Sequence, residues 1–139
     1  MDGPVPRALI VEGDPEMSGL FQRCLGLWGW HADCSRSVQT ALELFRRNRH
    51  DLAVCDADLP ASAGIFLARA LLKERPTLRV VLVSDDPGGL DPVARAGLGA
   101  VLRKPFDLGA LKALVQPEHA GGETYLRESD AAATHREVL

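Results

Sequence analysis

Two hydrophobicity patterns alternate along the chain. Short apolar or β-branched runs fall at Ala8–Val11, His31–Cys34, Leu52–Cys55, Val80–Val83 and Ala100–Leu102, and these read as strands. Between them, apolar residues recur every three to four positions, the spacing of one helix face. The stretches are about Glu16–Trp28, Val38–Arg47, Ile65–Glu74, Asp91–Ala96 and Leu108–Val115. Ser37 and Asp107 stand where N-caps belong, and Pro76 and Gly97 follow the third and fourth helices as stop signals. Strands one, three and four are almost wholly apolar, as expected when helices cover both faces of a sheet. Strict β-α alternation therefore predicts an α/β domain, a doubly wound parallel five-stranded sheet with right-handed crossovers.

The pattern runs over residues 7–115 and fails from Gln116. Residues 1–6 read as a short leader and residues 116–139 as a flexible or partly helical acidic tail, too short for a core of its own. The formal net charge of −3 resides in that tail, because acids and bases balance over the rest. A neutral body offers no electrostatic footprint for direct nucleic-acid binding. No apolar run approaches the roughly 18 residues of a membrane span, and the first residues lack a signal-peptide layout, so a cytoplasmic protein is expected. Cys24, Cys34 and Cys55 read as buried free thiols. His31, His50, His119 and His135 have no ligand-like spacing, so structural metal is not expected.

Candidate chemistry gathers where an open parallel sheet forms its crevice, beyond the carboxyl ends of the strands. Glu12-Gly13-Asp14 follows strand one, Asp56-Ala57-Asp58 follows strand three, Ser84-Asp85-Asp86 follows strand four, and Arg103-Lys104-Pro105-Phe106 follows strand five. Acids, a hydroxyl and a lysine from four loops thus converge on one rim.

These residues, in this order and spacing, resemble the receiver domain of bacterial response regulators. The resemblance is carried by Asp56 with Pro60 and Gly64 downstream, by Ser84, and by Lys104-Pro105-Phe106. It implies a flavodoxin-like (βα)5 fold of strand order 2-1-3-4-5. It also implies that Asp56 is the phospho-acceptor, a carboxylate nucleophile forming an acyl phosphate, with Lys104 and Ser84 contacting phosphoryl oxygens. The Lys104–Pro105 peptide is expected to be cis. Mg²⁺ would sit among Glu12, Asp14, Asp56 and the backbone carbonyl of Asp58. The implied partners are a histidine kinase or phosphotransfer protein and a downstream protein, met through the fourth helix, fifth strand and last helix. A homodimer through that face is a further option. No enzymatic role beyond self-phosphorylation and self-dephosphorylation at Asp56 is implied.

Three positions depart from the family pattern. Gly13 replaces the acid that binds metal directly, and Asp14 reads first as the N-cap of the first helix, ahead of a metal ligand. Asp85 places a carboxylate where a small residue borders the phosphoryl group, and Val101 replaces the aromatic switch residue. Two readings follow: a stand-alone phosphoryl-accepting receiver, or a pseudo-receiver acting as a phosphorylation-independent interaction or dimerisation module. A flavin-binding domain is disfavoured, since no glycine- and hydroxyl-rich phosphate loop follows strand one.

Overall fold

Along each central strand, alternate residues go to opposite helix layers, the period-two rule of a pleated sheet. Ala8, Ile10, Leu52, Val54, Val81 and Val83 face one core with Phe21, Leu25, Leu111 and Leu114. Leu9, Val11, Ala53, Cys55, Val80 and Leu82 face the other with Ala41, Phe45, Ile65, Leu67, Ala68 and Leu71. The computed structural model describes residues 5–90, Pro92 and residues 96–116. In these, β1 (Arg7–Val11), α1 (Pro15–Leu27), β2 (His31–Ser35), α2 (Val38–Arg47) and β3 (Leu52–Asp56) are followed by α3 (Ala63–Glu74), β4 (Arg79–Ser84), β5 (Ala100–Arg103) and α4 (Leu108–Val115). The sheet is parallel throughout, in the order β2-β1-β3-β4-β5.

Asp14, Ser37 and Asp107 each cap a helix by accepting a backbone N–H. Several strands run further than their apolar stretches indicate. Asp56 pairs with Val83, and Ser84 with Arg103, inside the ladder, because backbone hydrogen bonding continues regardless of side-chain polarity. Asp56 and Ser84 are therefore strand residues, more rigidly held than loop residues would be. The expected helix over Asp91–Ala96 lies outside the described residues, apart from Pro92 and Ala96, as does the tail beyond Gln116. Cys24, Cys34 and Cys55 are free, and Cys34 is only half-buried. Among the described residues no helix is long and apolar enough to cross a membrane.

The last helix is fastened at its C-terminal end by two buried side chains. The Trp30 indole donates to the Val115 carbonyl at 2.7 Å, and Arg79 donates to the carbonyls of Leu114 and Gln116. These satisfy carbonyls that a helix end leaves without intrahelical partners. Trp30→Phe keeps most of the ring volume and leaves the Val115 carbonyl unpartnered. It should lower unfolding free energy by about 1–2 kcal/mol in urea titration; an unchanged midpoint would show that the bond contributes nothing net.

Candidate functional site

The carboxyl edge of the sheet brings four ionisable groups together. Asp56, last in β3, lies between β1 and β4, so it has Glu12 on one side and Ser84 on the other. Its backbone packs against the start of α3 so closely that a Cβ on Gly64 would fall on the Asp56 carbonyl oxygen. Glycine at position 64 is thus a steric requirement of the end of β3. Lys104 follows β5 at a cis Lys104–Pro105 bond. The next residue, Phe106, stacks on Phe21 of α1 at 5.5 Å between ring centroids, which anchors the lysine loop to the core.

The Lys104 ammonium donates to Asp56 Oδ1 at 3.3 Å and lies 3.7 Å from Asp58 Oδ2. Burial works against this charge, but Glu12, Asp56 and Asp58 outweigh it and hold the Lys104 pKa above its ordinary value. The backbone N–H of Asp58 donates to Asp56 Oδ1 at 2.8 Å. Two donors therefore fix one oxygen of the Asp56 carboxylate.

Glu12 is 2% exposed. Its Oε2 accepts the Asp14 N–H at 3.3 Å, while its buried Oε1 has no hydrogen-bond partner. Burial first, and then the negative charge of Asp56, push the Glu12 pKa up to about 7; when protonated, it can donate to Asp56. An orphaned carboxylate oxygen beside a second carboxylate suits a hard cation, so Glu12 and Asp56 fit Mg²⁺. Among the described residues, no group of three or more acidic, histidine or cysteine side chains is placed to hold a metal ion by itself. Much of such an ion's shell would thus be water, as Mg²⁺ commonly retains.

Asp14 stands apart from this pair. Its Oδ1 accepts the Glu16 N–H at 3.1 Å, so of its two expected roles the structure shows the helix cap. Pro15 at the first helical position leaves the N–H of Glu16 as the donor within the reach of residue 14. No side chain replaces the acid missing at position 13, where a Cβ would lie 3.3 Å from the Leu59 side chain.

Asp58 differs most from the sequence reading, which assigned it only a backbone carbonyl. Its carboxylate accepts from Ser84 Oγ at 2.8 Å and from the Asp85 N–H at 2.7 Å, besides pairing with Lys104. Ser84 Oγ in turn accepts the Asp86 N–H at 3.0 Å. Ser84 therefore reaches Asp58 rather than Asp56. The side chain of Asp85 is exposed; its backbone, not its carboxylate, meets the site. Val101 is half-buried against the α2–α3 core, away from these contacts. The Asp-X-Asp spacing was the available signal for Asp58, because a side chain two residues past Asp56 starts from the same turn.

Residues 8–116 match the model of the response regulator receiver domain. The chain belongs to that family. The receiver is 33% identical to the response regulator protein PilR of Pseudomonas aeruginosa, over 78% of this chain and 25% of that protein. It is 30% identical to the transcriptional regulatory protein CseB of Streptomyces coelicolor, over 91% of this chain and 56% of that protein. The chain thus spans well under two thirds of either relative. The CheY-like receiver structure from Methylobacillus flagellatus superposes with a TM-score of 0.69 at 28% identity, covering 78% of this chain and 94% of that one. TrrA of Thermotoga maritima, crystallised with Mg²⁺-BeF, shares the fold with a TM-score of 0.70 at 21% identity, covering 77% and 93%.

The receiver's buried Glu12 carries a pH signature. A carboxyl whose folded pKa is raised, from 4.5 to about 7, favours folding at low pH and loses that contribution as pH rises through this window. Glu12→Gln, compared with wild type in metal-free buffer, should be near neutral around pH 4.5. It should stabilise by about 1–3 kcal/mol above pH 7. Thermal melts at matched pH check this, and a difference independent of pH would contradict it.

Proposed function

We propose that the chain is a phosphoryl-accepting receiver whose acceptor is Asp56. It takes the group from a histidine kinase or phosphotransfer protein and passes the signal on through a protein partner. The observation that carries this reading is the Lys104 ammonium on Asp56 Oδ1. A buried carboxylate next to a fixed cation can attack phosphorus while that cation offsets part of the repulsion between the two anions.

In the transfer, an Asp56 carboxylate oxygen forms a bond to phosphorus. The bond from phosphorus to the donor's nitrogen or oxygen breaks, and its electron pair leaves with the donor, which takes up a proton if basic. Lys104 neutralises charge on the phosphoryl oxygens. Glu12, Asp56 and the Asp58 carbonyl would hold Mg²⁺, which supplies electrostatic stabilisation of the transferring group.

A second reading, a pseudo-receiver that works as an interaction module, is favoured by Gly13 and by the side chain of Asp58 holding the hydroxyl of Ser84. Incubation with Mg²⁺ and a small acyl-phosphate or phosphoramidate donor separates the two. Wild type should gain about 80 Da by mass spectrometry. Asp56→Asn and EDTA should each abolish the gain, and Lys104→Met should slow it by about a hundredfold. No gain in wild type, or a gain that survives Asp56→Asn, would favour the pseudo-receiver.

A further inference from the structure

Ser84, Asp85 and Lys104 converge on Asp58. The Ser84 hydroxyl is committed on both sides, accepting from the Asp86 N–H and donating to Asp58 Oδ1. The Asp85 amide donates to Asp58 Oδ2, and Lys104 lies between the carboxylates of Asp56 and Asp58. A phosphoryl group on Asp56 presents three terminal oxygens and needs a donor for each. The Ser84 hydroxyl, the Asp85 amide and the Lys104 ammonium are donors at the same strand edge, and Asp58 now engages all three. A carboxylate also carries the charge sign of that group, so the two cannot share the donors. Asp58 is not locked in place, since its side chain is 31% exposed, against 8% for Asp56, and it can swing into water.

We propose that the Asp58 carboxylate is an internal competitor of the phosphoryl group, an autoinhibitory contact that must release Ser84, the Asp85 amide and Lys104 before Asp56 is charged. The inference rests on Asp56 being the acceptor and goes beyond it. It makes the residue two positions downstream the one that sets the rate of phosphorylation. While the contact holds, Ser84 and the Asp85 amide are already drawn onto an anion. The loop after β4 therefore changes partner, rather than gaining one, when Asp56 is phosphorylated.

The test compares initial phosphorylation rates of the full chain with Mg²⁺ and phosphoramidate, read by intact mass and by site mapping. Asp58→Ala should react about tenfold faster than wild type or more, the equivalent of one charge-assisted hydrogen bond that no longer has to be displaced. Asp58→Asn, which keeps the shape and one acceptor oxygen, should fall between the two; it also keeps the comparison valid if the alanine variant folds poorly. In Asp58→Ala the Asp85 amide should lose protection from hydrogen exchange. The Asp56→Asn/Asp58→Ala double variant should stay unmodified. Equal or slower rates in both Asp58 variants would overturn the competitor while leaving Asp56 as acceptor. Absence of phosphorylation in wild type and in every variant would overturn the acceptor reading and the competitor with it. An unchanged Asp85 exchange rate would overturn the contact itself.

Discussion

The site depends on one electrostatic constraint: three carboxylates, Glu12, Asp56 and Asp58, crowd one ammonium, that of Lys104. Carboxylates this close repel each other, and partial burial amplifies the repulsion. The protein meets the excess charge in three ways. Lys104 bridges Asp56 and Asp58. Backbone and hydroxyl donors reach one oxygen of Asp56 and both oxygens of Asp58. Glu12, left with a bare buried oxygen, holds a proton up to about pH 7. Whatever adds positive charge here relieves the strain, and whatever adds negative charge must displace Asp58.

The fold serves this crowding. A parallel sheet aligns the carboxyl ends of β1, β3, β4 and β5 at one edge, so residues distant in sequence reach one point without a long loop. Gly64 lets α3 press against the end of β3, and the Phe21–Phe106 stack holds the lysine loop against α1. The charged rim is thereby tied to the apolar cores beneath it. Removal of a core contact at Phe106 would be felt first in the position of Lys104.

The architecture was legible because period-two and period-3.6 patterns are local and few arrangements satisfy their alternation. Strand ends were less so, since the ladder continues through Asp56 and Ser84, where side-chain polarity signals a stop. At the rim, spacing identified Asp56 and Lys104, which the structure puts in contact. For Asp14 it favoured the helix cap without excluding the metal ligand, because a capping aspartate and a metal-binding one look alike in sequence. It also gave no side-chain role to Asp58, whose conformation is set by donors 26, 27 and 46 residues away. Such long-range pairings leave no periodic trace. Local patterns locate the edge; only the folded chain shows which donors each carboxylate has taken.

The central claim is that Asp56 and Asp58 compete for one set of donors, and the structure of the full chain with Mg²⁺ and beryllofluoride tests it most directly. The account predicts beryllofluoride on the Asp56 carboxylate, Glu12 on the metal side, Lys104, Ser84 Oγ and the Asp85 amide on its fluorines, and the Asp58 side chain turned out to solvent. Beryllofluoride bound at Asp56 with Asp58 still on Ser84 and the Asp85 amide would contradict it.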